Sequence, residues 1–199
     1  MNERRPLTGE EGARLVRVAH ASIAHWVKVG EKWPLDGESL PAVLRVPGAA
    51  FVTVRNRDGS LRGCIGSLAI REPLVENVRN NAVQAVSRDP RFAPLCAAEA
   101  VGLLVEVSVL EPGPEPASPF IRVADTSEIH VGRDGLYLMG AGEHGGGLLL
   151  PQVASDRGFD TEAFLLALCK KAGAPAGAWQ LPGVALYRFR VQAFSGAAA

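Results

Sequence analysis

Apolar positions along the chain switch between two periods. Leu15, Val18, Ser22, Ile23 and Trp26 recur at helical spacing up to about Val29. Thr8 followed by Glu11 has the spacing of a capping box, which satisfies two amide donors at a helix start. A loop with three prolines fills 30–47. Over 51–57 the period drops to two, with Phe51, Thr53 and Arg55 on one face and Val52, Val54 and Asn56 on the other. Asp58-Gly59 predicts a tight turn, because glycine accepts the positive φ that hairpins need, and 61–68 returns as the partner strand. Pro73 suits a first helical position, and Leu74, Val78, Ala82 and Ala85 or Val86 form an apolar stripe behind it. That helix should stop at Asp89-Pro90, since proline disfavours helical geometry in the residue before it.

Alternation resumes over 103–110, with Leu103, Val105, Val107 and Val109 opposite Glu106 and Ser108. Four prolines make 111–119 a surface crossover. Segments 135–139 and 147–150, joined by a glycine-rich turn, predict a second hairpin. Pro151 opens a short helix, and Asp160 or Thr161 caps a longer one ending at Ala172, with Gly173 as its left-handed stop. Residues 184–194 alternate again as the closing strand, and 195–199 should fray. Strands adjoin their hairpin partners and helices do not alternate strictly with them, so the pattern predicts an α+β fold with a largely antiparallel sheet and flanking helices. Hairpin then helix occurs twice, which suits one domain with two lobes and a cleft.

Composition narrows the function classes. The chain has 199 residues, 47% of them hydrophobic, and 21 Lys+Arg against 21 Asp+Glu. That is too apolar for disorder and too neutral for broad binding to nucleic acid or anionic membranes. Nothing at the start reads as a signal peptide, and no apolar run approaches the ~18 residues of a membrane span. Cys64, Cys96 and Cys169 are odd in number and far apart, which fits free thiols in a reducing cytoplasm. No CxxC pair or cluster motif is present, and His20, His25, His130 and His144 have no metal spacing, so neither metal nor cofactor is expected.

The candidate chemistry centres on Leu61-Arg62-Gly63-Cys64-Ile65-Gly66. Gly63 and Gly66 inside a strand mark a bulge or a close approach of another group. In a regular strand Arg62 and Cys64 share a face, and a nearby cation stabilises the reactive thiolate. On residue chemistry alone the segment reads rather as a tight packing site, because free cysteine is among the most buried residue types. Arg91, aimed by the turn Asp89-Pro90, suits either an anionic ligand or a salt bridge to Asp89. Glu106 and Ser108 line either a cleft or a solvated sheet face. Cys169 reads as core, Cys96 marks a short-helix start, and His144 sits in a turn over 140–147 that is better read as flexible than as a phosphate cradle.

Taken together these pieces resemble the AMMECR domain family, whose prokaryotic members are called AmmeMemoRadiSam system protein A. The resemblance spans about 11–194 and is carried by Phe51-Val52-Thr53-Val54, by 58–68 with the full signature hexapeptide, and by Arg88-Asp89-Pro90-Arg91-Phe92. Val105-Glu106-Val107-Ser108, Gly132-Arg133-Asp134-Gly135-Leu136, Leu150-Pro151-Gln152-Val153, and 171–175 with Trp179 extend it. It implies an α+β fold with a larger and a smaller lobe and the hexapeptide near the cleft between them. It nominates Cys64 and Arg62 as catalytic residues, and Gly63, Gly66, Arg91, Glu106 and Gln152 as substrate-binding ones. It also implies a Memo-like protein and a radical S-adenosylmethionine protein as partners. The expected function is an enzyme or enzyme subunit of such a system, acting on a small-molecule or macromolecular substrate. The alternative is a non-catalytic binding or scaffold module for those partners.

Overall fold

The computed structural model describes residues 5–35, 40–115, 118–143 and 145–197, so His144 lies outside the described residues. Helix α1 (Gly9–Val29) begins where the capping box predicts: the Glu11 amide donates to Thr8 Oγ1 at 3.3 Å, and the Thr8 amide donates to Glu11 Oε2 at 2.8 Å. It ends at Gly30, which takes the left-handed conformation with φ 76°. Strands β1 (Ala50–Arg55) and β2 (Leu61–Gly66) flank the Asp58-Gly59 turn, where Gly59 has φ 84°. Helix α2 (Leu74–Ser87) follows, with Pro73 as its N-cap and not its first helical residue, and it stops short of Asp89-Pro90. Strand β3 (Leu104–Leu110) closes this part of the chain.

The remaining strands are β4 (Ile121–Arg122), β5 (Gly135–Met139), β6 (Gly146–Leu149), β7 (Ala185–Phe189) and β8 (Val191–Ala197). Two helices lie between β6 and β7: α3 (Pro151–Arg157), with proline in its first turn, and α4 (Thr161–Ala172), capped by Asp160 and stopped by Gly173. The antiparallel strands form two four-stranded sheets, ordered β2-β1-β3-β8 and β4-β7-β5-β6. The closing strand read over 184–194 is correspondingly two strands, one in each sheet, broken at Arg190. The tail does not fray through its whole length: β8 continues to Ala197, and the His20 ring meets the Gly196 carbonyl at 3.0 Å.

The chain divides into two compact units, Met1–Leu110 with Gln192–Ala199, and Glu111–Val191. In the first, Val52, Val54, Val105 and Val107 turn one face of the sheet into a core with Leu15, Ile23, Leu74, Val78 and Ala82 of α1 and α2. In the second, Leu136, Leu138 and Leu186 pack with Phe164, Leu165 and Leu168 of α4. Each core has the alternation and helical spacing expected of a sheet covered on one face. Cys169 is buried in the second core, as its place on the apolar stripe of α4 predicts.

Candidate active site

In the first sheet, β1 lies between β2 and β3, so residues that match across three strands form rows on each face. Thr53 faces Cys64 on one side and Glu106 on the other; Phe51 faces Gly66 and Ser108. These rows lie on the face turned away from the valine core. Strand alternation therefore gathers a thiol, two hydroxyls and a carboxylate on one surface.

Cys64 is half-buried, and its Sγ accepts a hydrogen bond from Thr53 Oγ1 at 3.3 Å. Its backbone amide points off the edge of the sheet and donates to Asp89 Oδ2 at 2.8 Å. An unpaired edge amide is a liability, and here a carboxylate blunts it. Asp89 is buried and clasped by Arg91, whose Nε donates to Oδ1 at 2.9 Å and whose Nη2 donates to Oδ2 at 2.6 Å. The Arg91 amide adds a bond to Oδ1 at 3.1 Å. Chiefly through the Arg91 bonds, the Asp89 carboxyl is held down to about 2.

Burial pushes the Cys64 thiol up. The Thr53 hydroxyl and the Arg91 charge pull the other way, while Asp89 and Glu106 add to the rise. The cation acting on the thiol is thus Arg91. Arg62 does something else, because a bulge interrupts the hairpin: Val54 matches Gly63 but Arg55 matches Leu61, which leaves Arg62 as the extra residue. Its guanidinium is buried, with Nη2 donating to the Ala93 carbonyl at 3.0 Å and to Glu99 Oε2 at 3.3 Å, and it lies over the Phe92 ring. Glu99 in turn accepts the Cys96 amide at 3.0 Å, at the start of a short 3₁₀ turn, Ala97–Glu99. Arg62 and Asp89 together fasten residues 89–99 to the edge strand. Arg62 Nη1 is buried and has no hydrogen-bond partner among the described residues.

The two glycines have separate tasks. A Cβ on Gly63 would stand 1.9 Å from the Ala85 carbonyl oxygen, so α2 packs on the strand only because that side chain is absent. A Cβ on Gly66 would enter the Phe51 ring, which covers that glycine on the thiol-bearing face. Glu106 is half-buried and accepts from Ser108 Oγ at 3.3 Å, and Ser108 is fully buried. The structure therefore collects Arg62, Gly63, Cys64, Gly66, Arg91 and Glu106 in the first unit. Gln152 belongs to the second unit, half-buried in the first turn of α3.

Three contributors escaped the sequence reading: Thr53 as the thiol's partner, Asp89 as the clasp on its amide, and Glu99 as the partner of Arg62. Thr53 was within reach, since the hairpin turn sets the register that brings it opposite Cys64. Asp89 and Glu99 meet β2 through loop geometry that has no local signal. Among the described residues no three His, Cys, Asp or Glu side chains group as metal ligands, and no helix is long and apolar enough to cross a membrane.

Comparison with known proteins gives this geometry a family. The AMMECR1 family model matches residues 16–194. A protein of Aeropyrum pernix is 44% identical over 188 residues, covering 92% of this chain and 78% of that one. A protein of Methanocaldococcus jannaschii is 41% identical over 197 residues, covering 96% and 92%. The crystal structure of an uncharacterised protein from Pyrococcus horikoshii superposes with a TM-score of 0.85 at 34% identity, covering 95% of this chain and 93% of that one. The chain belongs to the AMMECR1 family.

Proposed function

We propose that the chain is a cytoplasmic enzyme, or an enzyme subunit of an AmmeMemoRadiSam-type system, and that its substrate meets the thiol-bearing face of the first sheet. The row Cys64–Thr53–Glu106 carries this reading, since a sheet face devoted to packing has no need of a thiol and a carboxylate flanking one hydroxyl. Cys64 rests as the neutral thiol, because burial favours the uncharged form. Reaction with a carbonyl carbon then requires a base. Sγ bonds to the carbon, the thiol proton is relayed through the Thr53 hydroxyl between them to the Glu106 carboxylate, and the leaving group departs with a proton returned from Glu106. Arg91 and the unpartnered Nη1 of Arg62 are the cationic groups for an anionic part of the substrate. A Memo-like protein and a radical S-adenosylmethionine protein are the proposed partners.

A second reading, a non-catalytic module that docks those partners, draws support from the raised thiol and from the packing tasks of Gly63 and Gly66. An activity screen on the purified three-protein mixture separates the two. The enzyme reading expects turnover that Cys64→Ala and Glu106→Gln each lower at least a hundredfold while complex formation persists. Turnover unchanged by both variants, or complex formation with no turnover, favours the docking module.

A further inference from the structure

On the other side of the Gly66 end of β2, an open groove of about 1050 Å³ runs between the end of α1 and the flank of α2, within the first unit. That volume lies just above the range for small-molecule sites, roughly 300–1,000 Å³, as suits a groove open to solvent. Its lining combines four kinds of group. Trp26 offers an indole that is only partly buried. Lys32 and Arg88 are exposed cations, and Arg88 has no ion pair among the described residues. Asn80 and Gln84, one turn apart on α2, present side-chain amides. Glu72 presents a carboxylate held by Asn77 Nδ2 at 3.0 Å and Asn80 Nδ2 at 2.8 Å.

One acceptor in this lining lacks a donor among the described residues. Asn80 spends its NH₂ on Glu72, and its Oδ1 is buried with no partner among the described residues. A buried amide oxygen without a donor costs stability and invites one. The missing component is therefore a molecule with N–H or O–H donors for the amides, a flat ring for the indole and negative charge for Lys32 and Arg88. Neutral sugars lack the charge and a flat ring, and inorganic anions lack the ring and the N–H donors.

We propose that this groove binds a nucleoside phosphate, with the base against Trp26, its polar edge on Asn80 and Gln84, the ribose hydroxyls toward Glu72, and the phosphate on Lys32 and Arg88. Asparagine and glutamine amides match base edges, and aromatic side chains stack on them without regard to sequence. Gly66 at its rim is shared with β2, but the site uses neither Cys64 nor the thiol's partners Thr53, Asp89, Arg91 and Glu106.

Calorimetric titration of the full chain with adenosine, cytidine, guanosine and uridine 5′-monophosphates tests it, beside ribose 5-phosphate and inorganic phosphate. The expected result is saturable binding of at least one nucleotide at one per chain, with ribose 5-phosphate and phosphate at least tenfold weaker. Arg88→Ala, at the exposed C-cap of α2, and Gln84→Ala, on its half-buried flank, should each weaken it about tenfold, roughly the effect of one charge-assisted or base-edge contact. Their melting curves should match the parent. The proposal is overturned by no saturable binding at millimolar nucleotide, by phosphate binding as tightly as the nucleotide, or by affinity indifferent to both substitutions. Cys64→Ala is titrated in parallel and should bind like the parent, so that the groove and the thiol face stand or fall separately.

Discussion

The two sheets are built alike and finished differently. Each has four strands with two helices over one face, and the difference lies on the other face. In the second unit that face is an aromatic cluster: Phe120 lies 4.9 Å from Tyr137, 6.0 Å from Tyr187 and 5.9 Å from the buried Phe189. Rings of this kind satisfy one another by packing. In the first unit the corresponding face holds Thr53, Cys64, Glu106 and Ser108, and such groups tolerate burial only when given partners. Thr53 serves the thiol, Ser108 serves Glu106, and Asp89 serves the Cys64 amide. The second unit shows that an apolar finish suffices for this architecture, so the polar finish of the first is an added property.

Substitutions sharpen that contrast. The largest loss is expected at Gly63→Ala, because the new Cβ meets backbone of α2 and the helix must move: about 3 kcal/mol by chemical denaturation. Gly66→Ala, which meets only the half-buried Phe51 ring, should cost about half of that. Near-equal losses would mean that both glycines answer to packing alone. Asp89→Asn falls between the two glycines, at about 2 kcal/mol, since it weakens a buried clasp whose Arg91 partner is half exposed. Its pH dependence has a definite sign. The folded carboxyl at about 2 lies below its unfolded value of about 3.9, so its stabilisation is complete above about pH 5 and drains as pH falls toward 2. Denaturation between those limits should show a flatter profile for Asp89→Asn than for the parent. On the aromatic face Tyr187→Leu should cost about 1 kcal/mol and leave the reactivity of Cys64 unchanged. The smallest effect is expected at Thr8→Ala, about 1 kcal/mol or less, for loss of the α1 cap.

Much of this fold was legible because local rules act alone at those places. The capping box at Thr8, the turn at Asp58-Gly59, the valine alternation of β3 and the glycine stop at Gly173 each depend on a few neighbouring residues, and each formed. The division into two sheets was not legible, because 184–194 alternates without a break in pattern while Arg190 passes the chain from one sheet to the other. Cys64 and Glu106 could be placed on polar faces from alternation, but their meeting across Thr53 depends on register. Arg62 was expected to share a face with Cys64; the bulge removed the regular strand that this expectation assumed. Arg91 took one of its two anticipated alternatives, the salt bridge to Asp89, and it also took the part expected of Arg62, the cation whose charge the thiol feels.

The most direct test of the account is the pH dependence of Cys64 alkylation by iodoacetamide. Cys96→Ser removes the exposed thiol from the background, and buried Cys169 serves as the unreactive reference. The account predicts that Cys64 reacts, that it titrates above the ordinary thiol value of about 8.5, and that Arg91→Gln moves the titration further up. A titration below that value, or one indifferent to Arg91→Gln, would contradict it.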